Sequence, residues 1–145
     1  MTDKELIISK IELGIKGLEF QKGRILRGEA YPPSLVSPVH DSDFYMVILR
    51  RLYRTLEKQA KINSSVANLK GKYQHLYKQI KLRDHYEHDI DMANFPTTPQ
   101  VFKIITSVVI TKNAPKIISG DKEWNLNKEH EEFILLMNQF LQIIK

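Results

Sequence analysis

A mainly α-helical protein, a bundle of about four up-down helices with a small β-hairpin inserted before the last, is what this sequence predicts. Three observations lead there. Apolar residues recur at three- and four-residue steps through most of the chain, the rhythm of amphipathic helices. One short stretch, Val101 to Thr111, is instead rich in β-branched side chains. The chain has 145 residues, 42% hydrophobic and 27% charged, the size and balance of a single globular domain spanning residues 1–145.

Each element has its own signal. From Lys4 to about Arg27, apolar residues fall at Ile8, Ile11, Ile15, Leu18 and Ile25. Gly14, Gly17 and Gly23 weaken this helix by up to ~1 kcal/mol each relative to alanine, or let another helix come close; Gly28 is a plausible stop. Ala30 to His40 contains Pro32, Pro33 and Pro38 and is expected to be a loop. Asp41 or Ser42 then caps a second helix with Asp43 at its positive end, and Phe44, Val47, Ile48, Leu52, Leu56 and Ala60 form its buried stripe. A short turn at Asn63-Ser64 implies an antiparallel third helix with Val66, Leu69, Tyr73, Leu76, Tyr77 and Ile80 inward. Strands are expected in Val101–Thr111 and Lys116–Ser119, joined by the turn Lys112-Asn113-Ala114-Pro115. Asn127 is the expected cap of a last helix, whose apolar face is Phe133, Leu136, Met137, Phe140, Leu141 and Ile144.

Composition narrows the chemistry. The chain has no cysteine, which excludes disulfides, thiolate metal sites and cysteine nucleophiles and fits a reducing compartment. The N-terminus is charged and lacks the apolar core of a signal peptide, and no apolar run is long enough to cross a bilayer. A cytoplasmic protein off the membrane is therefore expected. Net charge is +5 and the pI is near 9.3, a mild bias toward polyanions. The basic residues cluster at Arg50, Arg51 and Arg54 and again at Lys70, Lys72, Lys78, Lys81 and Arg83. Such runs serve either as a solvated helix face or as a nucleic-acid track.

The densest chemistry is Arg83-Asp84-His85-Tyr86-Glu87-His88-Asp89, where the third helix ends. Arg83 followed by Asp84, with His88 five positions after the arginine, resembles the Arg-x4-His signature of the HEPN (higher eukaryote and prokaryote nucleotide-binding) families. Those are small helical bundles, often dimeric, and many are metal-independent RNases of toxin–antitoxin, phage-defence or RNA-processing systems. The resemblance covers the helix order as well as the motif; the hairpin is an addition. It implies a homodimeric endoribonuclease that uses no cofactor and no metal, with RNA as substrate. Catalysis would fall to Arg83, Asp84 and His88, and substrate contacts to Tyr86, Glu87 and Lys81.

The residue types suit that reaction. Cutting RNA without a metal needs a base for the 2′-hydroxyl proton and a cation for the developing phosphorane charge. Histidine titrates near neutrality, and arginine presents a permanently charged fork to phosphate. Asp84 would orient the pair, Glu87 would raise the basicity of a neighbouring histidine, and Tyr86 would meet a base. Residues five apart on an ideal helix point about 140° apart, so Arg83 joins His88 through its length, a distorted helix or a second subunit. HEPN sites are typically completed across a two-fold axis. The tyrosine that some HEPN toxins carry two residues after the histidine is Ile90 here, so that regulatory scheme does not transfer.

Other readings remain open on sequence alone. His85 and His88 with Asp84, Asp89 and Asp91 could hold a divalent ion, though no helix elsewhere offers a matching Glu-x-x-His. The acids could equally neutralise Arg83 and nearby lysines as an exposed network. The chain would then be a non-enzymatic helical interaction module, an antitoxin-like or regulatory partner of another protein. His40, His75 and His130 read as incidental, with His130 expected to face solvent. Trp124 could stack on a base or serve as a core anchor, whereas Tyr73 and Tyr77 are expected in the core.

Overall fold

The computed structural model describes residues 2–27, 37–80, 107–109, 115–119 and 122–145. Helices α1 (Asp3–Arg27), α2 (Ser37–Ala60), α3 (Ser64–Lys72), α4 (74–80) and α5 (Lys128–Ile144) surround one apolar core. A small sheet, β1 (Ser107–Val109), β2 (Lys116–Ser119) and β3 (Lys122–Asn125), precedes α5. The bundle with its inserted antiparallel hairpin is as the sequence predicts.

Helix α1 buries Ile11, Leu18 and Ile25, seven residues apart, with Ile8 and Ile15 packed at the margin. Its glycines set the distance to α2. A Cβ on Gly14 would lie 2.5 Å from Leu52 Cδ2, and one on Gly17 would lie 3.1 Å from Ile48 Cδ1. With the Arg24–Asp41 ion pair further along, these contacts fix α1 and α2 as antiparallel neighbours. Gly14→Ala is therefore expected to cost about 1–2 kcal/mol in urea unfolding, because overpacking outweighs the gain in helix propensity. Gly71→Ala, with nothing within 4 Å of its added Cβ, should raise stability by up to about 1 kcal/mol. Equal effects of the two substitutions would refute close packing at Gly14.

Helix α2 begins earlier than the capping pattern suggests. Ser37 to His40 already belong to it, so Asp41 and Ser42 lie inside the helix rather than at its cap. Pro38 is tolerated there because first-turn residues need no intrahelical N–H bond. The buried stripe keeps the expected Leu52 and Leu56, with Ile48 and Ala60 packed against the core, but its first turns are shifted by one residue: Tyr45 and Leu49 are buried, while Phe44 is 60% exposed. Both phases satisfy a period of 3.6, and only packing against α1 chooses between them.

The expected third helix is divided. Asn63 caps α3, its Oδ1 accepting from the backbone N–H groups of Ser65 and Val66. At Tyr73 the chain leaves α geometry (φ −109°, ψ 23°) and resumes as α4. Val66, Leu69, Leu76 and Ile80 are buried, and Tyr73 and Tyr77 pack against the core as expected. The Tyr77 ring lies 5.6 Å from that of Tyr53 on α2. Burial, reinforced by the nearby Glu57 carboxylate, pushes the Tyr53 hydroxyl up to about 12.

Strands β1 and β2 pair antiparallel with Val108 opposite Ile117. The third strand, β3, was not expected; it sets Trp124 opposite Ile117 on the far side of β2. Ser119 pairs with Lys122, which leaves two residues, Gly120-Asp121, between the strands. That dipeptide is a two-residue hairpin signal that a reading based on β-branched content passes over. The cap of α5 differs as well. Asn127 occupies the cap position without a side-chain bond; Asn125 Oδ1 instead accepts from the N–H groups of Asn127 and Lys128, and Glu129 accepts from Asn125 N–H. Phe133, Leu136, Met137, Phe140 and Leu141 face inward as predicted.

Candidate functional site

The residues singled out for catalysis and substrate contact, Lys81, Arg83, Asp84, Tyr86, Glu87 and His88, lie outside the described residues. So do His85, Asp89 and Asp91 of the alternative metal reading. The helix that precedes them in the chain is described in detail. Leu76 and Ile80 of α4 are buried in the core, and Ile80 is the last described residue before the motif. On its other face α4 meets the sheet and α5. His75 Nε2 lies 2.5 Å from Glu132 Oε2, and the Gln79 side chain accepts from the backbone N–H of Glu123 at 3.1 Å. The α4 helix is thus mounted on the core, the sheet and α5 together.

A polar cleft of 310 Å³ opens beside this mount, lined among others by His75, Lys116, Glu123, Glu129 and Glu132. Lys116 Nζ lies 3.2 Å from Glu123 Oε2. Burial raises the Glu129 carboxyl above its usual range, against the N–H bond from Asn125. The charges here are mostly matched within the cleft. No cluster of three or more metal-ligating side chains occurs among the described residues.

The most constrained polar constellation lies deeper. Trp124 Nε1 donates to Tyr45 Oη at 2.9 Å, Tyr45 Oη lies 2.7 Å from His130 Nδ1, and His130 Nε2 lies 3.0 Å from Glu19 Oε1. An indole N–H can only donate, so the tyrosine oxygen accepts from Trp124 and its own O–H must go to His130 Nδ1. That leaves Nε2 protonated, donating to the Glu19 carboxylate. Every polar atom is satisfied with a neutral imidazole. Burial lowers the His130 pKa, partly offset by Glu19, and burial raises that of Tyr45. The sequence pattern predicts a solvent-facing His130 and leaves Trp124 open between base stacking and a core anchor. Both are fully buried, at 1% and 0% exposure. The chain of bonds ties α1, α2, β3 and α5 together and ends at the surface on the half-exposed Glu19.

A second surface feature is a groove of 530 Å³ between α1 and α2. It is lined by the cations Lys10, Arg51, Arg54 and Lys58 together with Leu13, Gly14, Ile48 and Leu52. None of its lining residues among those described is acidic.

No family model, curated protein or solved structure matches the chain. Among the described residues no helix is long and apolar enough to cross a membrane.

Proposed function

We propose that the chain is a metal-independent endoribonuclease of HEPN type in which Arg83, Asp84 and His88 form the reacting centre. The observation that carries the reading is the Arg83-Asp84-x3-His88 sequence directly following a core-anchored arm of a helical bundle. In this scheme the imidazole of His88 takes the proton of the RNA 2′-hydroxyl. The freed oxygen attacks phosphorus, the P–O5′ bond breaks, and an imidazolium returns a proton to the leaving 5′-oxygen. Arg83 holds the phosphate charge through the reaction, and Asp84 orients the pair. Tyr86 stacks on a base, Lys81 contacts the backbone, and Glu87 strengthens a neighbouring histidine as base. The working unit is a homodimer in the cytoplasm, serving as a toxin or a phage-defence component under the control of a partner protein.

The test is cleavage of total RNA in EDTA by the wild-type chain beside Arg83→Ala and His88→Ala. Each variant should lose at least about 100-fold, the usual contribution of positioned acid–base catalysis. Equal cleavage by all three proteins, or none by the wild type, sinks the proposal. A second reading, a non-enzymatic interaction module, is favoured by the large apolar side chains exposed on α1. It predicts no cleavage and a stable complex with another protein.

A further inference from the structure

Helix α1 has an outer stripe as regular as its inner one. Leu6, Leu13 and Phe20 recur every seven residues, and they are 46%, 65% and 58% exposed. Residues seven apart share a helix face, so the three lie on one side of α1, two turns apart. The antiparallel pairing of α1 with α2 sets Phe20 at the level of Phe44, which is 60% exposed and one turn before the groove residue Ile48. Large apolar side chains scattered singly on a surface need no explanation, but Leu13 opens onto the α1–α2 groove beside Ile48 and Leu52. The cations Lys10, Arg51, Arg54 and Lys58 border the same groove.

We infer that this α1–α2 groove is a docking site for an acidic amphipathic helix of a protein partner. Apolar side chains from two helices, Leu13 with Ile48 and Leu52, suit the apolar face of a helix laid between them, and the surrounding cations select a helix whose flanks carry Asp and Glu. Along α2 the groove runs from Ile48 to Lys58, about 15 Å at 1.5 Å per residue, which matches about three turns of ligand helix. A second copy of the chain does not suit, because face-to-face pairing brings two sets of the same cations together. A nucleic-acid strand is poorly served, because none of the described residues lining the groove is aromatic and able to stack on a base. Neither Arg83 nor His88 enters the argument, so the docking site stands apart from the nuclease proposal.

The probe is a fluorescein-labelled peptide of about 18 residues, leucine on one face at three- and four-residue steps and glutamate on the flanks, read by anisotropy against the full chain. Binding is expected, and it should weaken as salt rises. The double variant Arg51→Glu/Lys58→Glu and the single variant Leu13→Asp should each weaken it by about tenfold or more. Lys72→Glu on α3 should leave it unchanged, and far-UV circular dichroism confirms that each variant is folded. Three results overturn the assignment: no binding of the acidic peptide; equal binding of a peptide with lysine in place of glutamate; or a single-stranded oligoribonucleotide that binds and alone responds to the groove variants. Because Arg83→Ala and His88→Ala should bind the peptide like wild type, loss of the nuclease reading leaves this result standing.

Discussion

Tyr45→Phe should lower the unfolding free energy by about 2–6 kcal/mol, because deleting one oxygen orphans two buried groups at about 1–3 kcal/mol each. The Trp124 indole N–H loses its acceptor, and His130 Nδ1 loses its donor, with no solvent contact for either side chain. The ring itself stays, so no cavity forms and the loss isolates the hydroxyl. Urea denaturation checks it; a change under about 0.5 kcal/mol would show that the network contributes nothing net. A pH series adds a second test of the same group. Burial lowers the His130 pKa in the folded protein below the 6.5 of the unfolded chain. Between the two values the unfolded state binds more protons, so stability rises with pH. The contribution is fully present above about pH 6.5 and is lost as pH falls toward the depressed folded value, with a slope of at most about 1.4 kcal/mol per pH unit. Replacing His130 by leucine should flatten that slope even though it also destabilises the fold. An unchanged slope would assign the titration to another group.

The helices were legible because a period of 3.6 writes itself into the order of residues; the phase of each stripe and the identity of the buried polar groups were not. In α2 Phe44 and Val47 continue the apolar line through Leu52 and Leu56 as well as Tyr45 and Leu49 do, and packing in the fold rather than spacing turns Tyr45 and Leu49 inward. His130 looked solvated because it stands in the first turn of α5 among Glu129, Glu131 and Glu132. What buries it is a tyrosine 85 positions earlier, a partner that sequence spacing cannot indicate. Trp124 is similar: its core role depends on β3, a strand with no β-branched residue, announced only by Gly120-Asp121. The candidate site divides the same way. Arg83 and His88 were visible as a motif, since their spacing is local. The groove was not, because Lys10 and Leu13 become neighbours of Arg51 and Lys58 only after α1 folds back on α2.

If the nuclease proposal holds, mixing the inactive Arg83→Ala and His88→Ala proteins should restore cleavage, to about a quarter of the wild-type rate per subunit. The figure follows from counting. Random reassortment makes half of the dimers mixed, and a mixed dimer with sites shared across its two-fold axis holds one intact arginine–histidine set out of two. Helix geometry is the reason to expect sharing, since side chains five apart on a regular helix diverge by about 140°. A site formed within one protomer behaves differently, because every subunit in the mixture then lacks one essential group. Its mixtures stay as inactive as the single variants. Each parent alone should sit at least about 100-fold below wild type, so a return to a quarter is easily read above that background. Unfolding and refolding the variants together, beside a mixture never co-refolded, separates subunit exchange from a trace contaminant. Activity that appears equally in both mixtures would reject the shared site.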